Sequence, residues 1–397
     1  MKRTLTFAGL LVAATSHASS WLDLELRYFP DGPASPEQSD ARPAGSIGGQ
    51  LQWQGAIADD SIDTELIVFA RIDSADSNRT HADLREASLR WKSDQWRWLA
   101  GVSKVFWGAA ESVHLVNIVN QVDVVEDPGL EVHLGQPMLS GQRALGPGFL
   151  ELYALPWFRP REYPANDARL RPPFPLSDQI EYESGAGQSH LDLAARYQWT
   201  QGSHDIGISL FHGTGREPTL RVEPIMGVAQ IIQRYEQITQ LGFDLQGAIS
   251  GDWVLKAEGM VRKGQGPTFG AFAGGIEYTF WAISEAGADL TLNVEYIYDG
   301  RLDGTLDAPA PPALFDNNLF VGARYAFNNF SLTELRAGLY MELSELAGLG
   351  VLEFRHRLRD DLLLEGRTAF GNNIPDEPLL APLREDGFVE LRLKWVW

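Results

Sequence analysis

The sequence predicts an all-β protein, a transmembrane antiparallel β-barrel of 18 strands with one loop folded inward. Three observations carry this. Apolar and polar residues alternate with period two in segment after segment, and successive side chains of a strand point to opposite faces. The connections between these segments alternate between short and long, as in outer-membrane barrels. No later segment holds eighteen or more uninterrupted apolar residues, so helical membrane spans are not expected. Counting segments against connections gives 18 strands. Sixteen is the alternative, because the segments around 45–57 and 230–250 have indistinct ends. An even count puts both termini on one side, expected to be the periplasm.

The chain opens with MKRTLTFAGLLVAATSHASS. Lys2 and Arg3 form a charged start, Leu5 to Ala14 a short apolar run, and Ser16-His17-Ala18 a small-residue cleavage pattern. Residues 1–18 are therefore expected to be a signal peptide, with the barrel over 19–397. The apolar run is too short for a membrane anchor. No composition shift marks a second domain, and one large barrel uses all 397 residues. There is no cysteine, which excludes disulfides, thiolate metal sites and a lipid-anchoring Cys. The net charge is −20, and two units more negative without Lys2 and Arg3. That argues against nucleic acid as a partner, which needs a positive field. It suits a water-filled lumen or acidic loops.

The first strand pattern sets Leu22, Leu24, Leu26 and Tyr28 against Asp23, Glu25 and Arg27. Further on, Trp253, Leu255, Ala257 and Val261 alternate with Lys256, Glu258 and Arg262. Leu290, Leu292, Val294 and Tyr296 alternate with Thr291, Asn293 and Glu295. Leu352, Phe354 and Leu358 alternate with Glu353, Arg355 and Arg357, and Leu362, Leu364 and Phe370 with Glu365 and Arg367. At the C-terminus, Val389, Leu391, Leu393, Trp395 and Trp397 share one face, and Glu390, Arg392 and Lys394 the other. The apolar faces are expected to meet outer-membrane lipid, and the mixed charges to line the lumen with cross-strand ion pairs. Lumen-side substitutions should be mild. Short turns are expected at 58–62, 92–95, 146–148, 200–203, 250–252, 328–329 and 359–361. Long connections are expected at 30–45, 105–135, 159–187, 213–236, 299–316 and 372–386.

The alternation fails between Gly101 and Leu145, and a long irregular insertion is uncommon unless functional. Its segment 105–135 is expected to fold into the lumen as the pore constriction. The candidate residues are Trp107, Glu111, Asn117, Asn120, Asp123, Glu126, Asp127 and Glu131. A mildly helical stretch from Glu111 to Gln121 would pack Val113 and Val116 on the wall and turn its amides to water. Asp123, Glu126, Asp127 and Glu131 would favour cations. The alternative is an ordinary surface loop with solvated acids.

Residues 80–175 resemble a family of uncharacterised proteobacterial outer-membrane barrels, distantly similar to alginate-export-type porins. The resemblance rests on DLREASL (Asp83 to Leu89), Gly101, WGAAES (Trp107 to Ser112), and the spaced Asn117, Asn120 and Asp123. It continues through Pro128-Gly129-Leu130-Glu131, PML at Pro137 to Leu139, and Phe149 to Trp157. The family shows Gly-Arg-Gln where this chain has Val102-Ser103-Lys104. Beyond 80–175 only the barrel pattern matches. The resemblance implies a large monomeric pore with an inward-folded segment and supplies no substrate. A C-terminal aromatic such as Trp397 is, at the level of such families, a habit of substrates of the barrel-insertion machinery.

A second candidate is Phe158 to Pro175, where Arg159, Arg161, Arg169 and Arg171 sit among stiffening prolines. Arg forks match carboxylate and phosphate geometry, so these could contact an anionic solute or lipopolysaccharide phosphates. The alternative is a rigid loop whose arginines pair with Glu162, Asp167 and Asp178. Signals for an enzyme are weak. His114 and His133 could only loosely suggest a metal pair, and Ser112, His114 and Asp123 have no nucleophile-elbow spacing. GQGPTFGAFAGG (Gly264 to Gly275) has no following helix pattern and is not a phosphate loop. No cofactor, metal or catalytic residue is expected. The function expected is a channel for passive passage or export of a small hydrophilic solute. The alternatives are an outer-membrane lipid hydrolase and a non-conducting scaffold for a periplasmic partner.

Overall fold

Eighteen strands close on themselves in the computed structural model, which describes residues 20–33, 36–58, 61–301, 310–312, 315, 317–343, 348–372 and 386–397. The first seven barrel strands are β1 (Trp21–Tyr28), β2 (Ala44–Ile57), β3 (Ile62–Asp73), β4 (His81–Ser93), β5 (Trp96–Ser103), β6 (Gln136–Leu145) and β7 (Gly148–Leu155). After β8 (Leu176–Tyr182) come β9 (Asp192–Gln201) and β10 (His204–Thr214). After β11 (Thr219–Ile225) and β12 (Val228–Tyr235) the barrel resumes with β13 (Gln237–Ser250), β14 (Trp253–Gly264), β15 (Gly266–Phe280) and β16 (Asp289–Asp299). It ends with β17 (Asn317–Ala326), β18 (Glu334–Glu342), β19 (Gly348–Arg359), β20 (Leu362–Asn372) and β21 (Phe388–Val396). Each barrel strand pairs antiparallel with the next along the chain, and β21 pairs with β1 from Trp21↔Val396 to Tyr28↔Val389. Ser20 and Trp397 exchange backbone hydrogen bonds of 3.0 and 2.9 Å beyond that ladder, completing the seam. The expected count of 18 holds. The expected signal peptide lies outside the described residues.

The period-two pattern folds as its chemistry requires. Leu22, Leu24, Leu26 and Tyr28 are exposed on the outside of β1, while Asp23 and Glu25 are buried inside. Leu292, Val294 and Tyr296 lie outside on β16, with Thr291, Asn293 and Glu295 inside. An outward apolar surface of this extent is stable against lipid, not water. The lumen wall along β1, β2, β3 and β21 holds a buried ion network. Arg71 meets Asp23 at 3.3 Å, Arg79 meets Glu25 at 2.5 Å and Arg27 meets Glu390 at 2.7 Å.

Most connections alternate as expected, with two departures on each side of the pattern. At the end holding both termini, residues 281–288 and 327–333 are longer than the tight turns around them. Asn328 and Asn329 therefore sit within a seven-residue connection, not a two-residue turn. At the opposite end, β14 and β15 are joined by Gln265 alone, and β18 and β19 by a short connection at 343–347. Two of the long connections carry a small sheet of their own: β12 pairs parallel with β8 and antiparallel with β11. The sequence reading took these stretches as loops. Ile231, Ile232 and Gln233 are buried in succession, because β12 is covered on both faces, and a strand covered on both faces shows no alternation.

Candidate functional site

The chain leaves β5 after Ser103 and rejoins the sheet at Gln136. Asn120 ties the two ends of the excursion together. Its amide donates to the Ser103 and Leu134 carbonyls at 2.9 and 2.8 Å, and its oxygen accepts from the Val105 N–H at 2.9 Å. Trp107 is buried edge-on to Tyr153 at 5.7 Å, within a cluster that includes Val116, Ile118, Val119 and Phe211. It anchors the segment to the wall and does not face the open lumen.

Beyond Trp107 the backbone crosses to strands far around the barrel. Glu258 of β14 accepts from the Ala109 and Ala110 N–H groups at 2.7 and 3.0 Å, and from the Val116 N–H at 3.3 Å. Glu295 of β16 accepts from the Glu111 and Ser112 N–H groups, each at 2.9 Å, and from the Ser112 hydroxyl at 2.5 Å. The Tyr340 hydroxyl of β18 donates to the Ser112 carbonyl at 2.9 Å. Gly108 makes the approach possible: its φ is +144°, and a Cβ there would lie 2.6 Å from the Glu258 carboxylate. The return path reverses the chemistry, with acids of the segment meeting arginines of the wall. Asp127 meets Arg367 of β20 at 2.5 Å, Glu126 meets Arg71 of β3 at 2.9 Å, and Asp123 meets Arg85 of β4 at 2.6 Å. The inward fold is thus observed.

The expected helix over Glu111 to Gln121 is not. The N–H groups of Glu111, Ser112 and Val116 donate to wall carboxylates, and an α-helix would need such donors for its own carbonyls. The stretch consists of turns and irregular backbone, with one isolated bridge between Val122 and His133.

Between the segment and the wall from β14 to β20 lies a cavity of about 900 Å³. Of the eight constriction candidates, Glu111, Asn117, Asn120 and Glu131 line it, whereas Trp107, Asp123, Glu126 and Asp127 do not. Glu126 and the buried Asp123 and Asp127 are held in the ion pairs above, so they add no unpaired acid to the path. Among the described residues the lining has eight Arg and Lys side chains (Arg161, Arg216, Lys256, Arg262, Arg301, Arg324, Arg336 and Arg367). It has six acidic ones: Glu111, Glu131, Glu217, Glu277, Asp299 and Glu353. By count the lining has two more Arg and Lys than Asp and Glu, with Arg216, Arg324 and Arg367 paired to Asp192, Glu334 and Asp127 outside it, so the path mixes both signs where an acid-dominated one was expected. One wall is apolar: Phe315 stacks on Tyr340 at 4.3 Å, and Phe320 lies 4.7 Å from the same ring.

Titration in the segment follows from these neighbours. Burial disfavours the charged His114 ring, but Glu131 at 3.5 Å and Glu258 at 3.8 Å outweigh it and push its pKa up to about 10. Burial holds His133 below the usual histidine value. Burial also raises the Asp127 carboxyl, but Arg367 overcomes this and leaves it below the ordinary range.

The four arginines of the second candidate stretch separate. Arg159 pairs with Asp83 at 2.7 Å, and Arg169 pairs with Asp386. Arg171 lies 3.9 Å from Glu37. The acids facing Arg159, Arg169 and Arg171 come from β4 and from other connections, not from Glu162, Asp167 or Asp178. Only Arg161 lines the cavity. It is buried, and its guanidinium donates to the Gln121 oxygen at 3.4 Å and the Arg216 carbonyl at 3.3 Å. The hydrolase candidates are not assembled: Ser112 donates to Glu295, and Asp123 faces Arg85. Sequence reasoning placed Glu258, Lys256, Glu295 and Arg367 on polar strand faces but gave them no role. Period two marks which residues face inward, not which of them meet the insertion.

No family model matches the sequence, and no curated protein matches it. Solved structures do match in fold. A BenF-like porin from Pseudomonas fluorescens Pf-5 superposes with a TM-score of 0.55 at 12% identity, over 96% of this chain and 98% of that one. Wzi of Escherichia coli, described as an outer-membrane protein involved in group 1 capsule assembly and a carbohydrate-binding β-barrel, gives 0.54 at 13% identity. That match spans 94% of this chain and 83% of Wzi. The outer-membrane protein OpdK from Pseudomonas aeruginosa gives 0.51 at 11% identity, over 96% of this chain and 98% of that one. This chain shares the porin-like fold of these outer-membrane barrels, and at such identities the likeness is one of fold.

Proposed function

We propose that this chain is a bacterial outer-membrane channel for small hydrophilic solutes, narrowed by the 105–135 segment and selective for anions over cations. The supporting observation is the extent of the cavity. On β16 its lining runs from Thr291 to Asp299, roughly 26 Å of strand at about 3.3 Å per residue. With the strands of such barrels tilted by about 35–45°, that is roughly 20 Å of height, most of the apolar band of about 25 Å. Asp299 and Arg301 stand at its long-connection end, and Lys256, Arg324 and Arg336 near the tight turns. A solute entering such a path meets more cationic than acidic side chains along a low-dielectric wall, which favours anions over cations.

Planar-bilayer current under a salt gradient tests this. Wild-type protein should give a reversal potential on the anion side, and Arg324→Gln with Arg336→Gln should move it toward the cation side, most at low salt. A cation-side potential for wild type would overturn the selectivity. No current from folded wild type, nor from a variant lacking residues 112–131, would overturn the channel itself.

A further inference from the structure

We propose that the two long connections at the tight-turn end, 281–288 and 327–333, seat the barrel in the phospholipid headgroup layer on that side of the membrane. They stand side by side, joining β15 to β16 and β17 to β18, while the other described turns at that end are tight. Asn328 links them, its amide donating to the Gly287 carbonyl at 2.9 Å and to Asp289 at 2.7 Å.

Both are built loops. Ile283 N–H donates to the Ala288 carbonyl at 2.7 Å, and Phe327 N–H to the Thr333 carbonyl at 3.0 Å. The Arg357 backbone donates to the Ser331 carbonyl at 2.7 Å, and its guanidinium to the Phe330 carbonyl at 2.9 Å. Three non-glycine residues hold positive φ: Ala282 at 50°, Asn328 at 50° and Leu332 at 46°. A leucine there is an outlier that persists only when its surroundings fix it.

What these loops present is apolar. Phe330 is fully exposed, Trp281 63%, Leu332 55% and Ile283 46%. A fixed loop that holds large apolar side chains in the open marks a surface that something covers. The lipid-facing band is continuous with it. Phe280 ends the outward face of β15 and packs on Tyr278 at 4.6 Å, which packs on Trp253 at 4.6 Å. Tyr325 and Phe327 lie 4.8 Å apart at the matching end of β17. Trp281 donates its indole N–H to Asp252 on the adjacent turn at 2.9 Å, so the ring lies along the rim. Trp and Tyr favour the headgroup level because their rings are apolar and their tips polar. The same strands, β15 to β19, form much of the cavity wall, so the seat steadies the side on which solute passes.

The inference stands on the barrel and its loops and does not depend on conduction. The chain has no cysteine, so F330C takes one environment-sensitive fluorophore, and M226C at the opposite hairpin tip serves as control, since Met226 is equally exposed. In phospholipid vesicles, the label at position 330 should emit to the blue of the label at 226. It should be quenched several-fold more by nitroxide on lipid headgroups than by aqueous iodide, and the label at 226 should show the reverse order. Folding is read by heat-dependent gel migration, and L332C replaces F330C should the latter not fold. Iodide access equal to that at position 226 would overturn the proposal. So would shielding from both quenchers, which would indicate a protein cover such as a second copy of this chain.

Discussion

Leu391 and Arg392 are chain neighbours with opposite surroundings. Leu391 is exposed on the outside of β21, where the solvent is lipid. Arg392 points inward and meets Glu25 at 2.8 Å, Glu390 at 3.0 Å and Asp23 at 3.4 Å. Leu391→Arg should therefore cost about 2–4 kcal/mol, the range for a cation on the lipid face near mid-bilayer. The sequence reading expected mild effects on the lumen side, and for Arg392 the ion network reverses that. Arg392→Leu leaves three acids short of a donor. Arg27, Arg71 and Arg79 still hold Glu25, so the loss should be about 2–3 kcal/mol, in the range for hydrogen bonds to charged groups. Lys394 rests 4.4 Å over the Trp21 ring, and Lys394→Leu should cost below about 1 kcal/mol. Urea unfolding in lipid vesicles measures all three. A Leu391→Arg midpoint equal to wild type would mean that face does not meet lipid.

At the scale of elements, the 105–135 segment is held by wall groups, while the wall is held by its own ladders. Deleting Ser112 to Glu131 removes the contacts of Glu258 with Val116, Glu295 with Ser112, Arg85 with Asp123, Arg71 with Glu126 and Arg367 with Asp127, and these side chains would then face a wider, hydrated lumen. The strand ladders do not run through the segment, so the barrel should still close and migrate as a folded species on gels. Single-channel conductance should rise several-fold, because resistance falls with the cross-section of the narrowest part. Unchanged conductance would place the narrowing elsewhere. The segment also marks how far the sequence could be read. Its boundaries were legible because a membrane strand must alternate and this stretch does not. Its path was not, because Glu258 and Glu295 look like any inward acids until the backbone N–H groups they accept are known. A different limit hid β12, where burial on both faces erases the period.

The whole barrel is polar along its axis. One end carries most of the long connections, the small sheet and the β11–β12 hairpin with Met226 fully exposed at its tip. The other carries mostly tight turns and both termini, joined through Ser20 and Trp397. Short turns on the periplasmic side and longer connections outside are the rule for outer-membrane barrels. An epitope inserted after Met226 should therefore be reached by antibody on intact cells, and an epitope after Trp397 only once the outer membrane is opened. The seam adds a check within the second arm. Trp397 closes the β1–β21 contact, so its epitope should leave heat-dependent gel migration unchanged before its inaccessibility is taken as location. Surface labelling after Trp397 on intact cells, with position 226 silent, would invert the barrel and move the proposed headgroup seat to the outer leaflet.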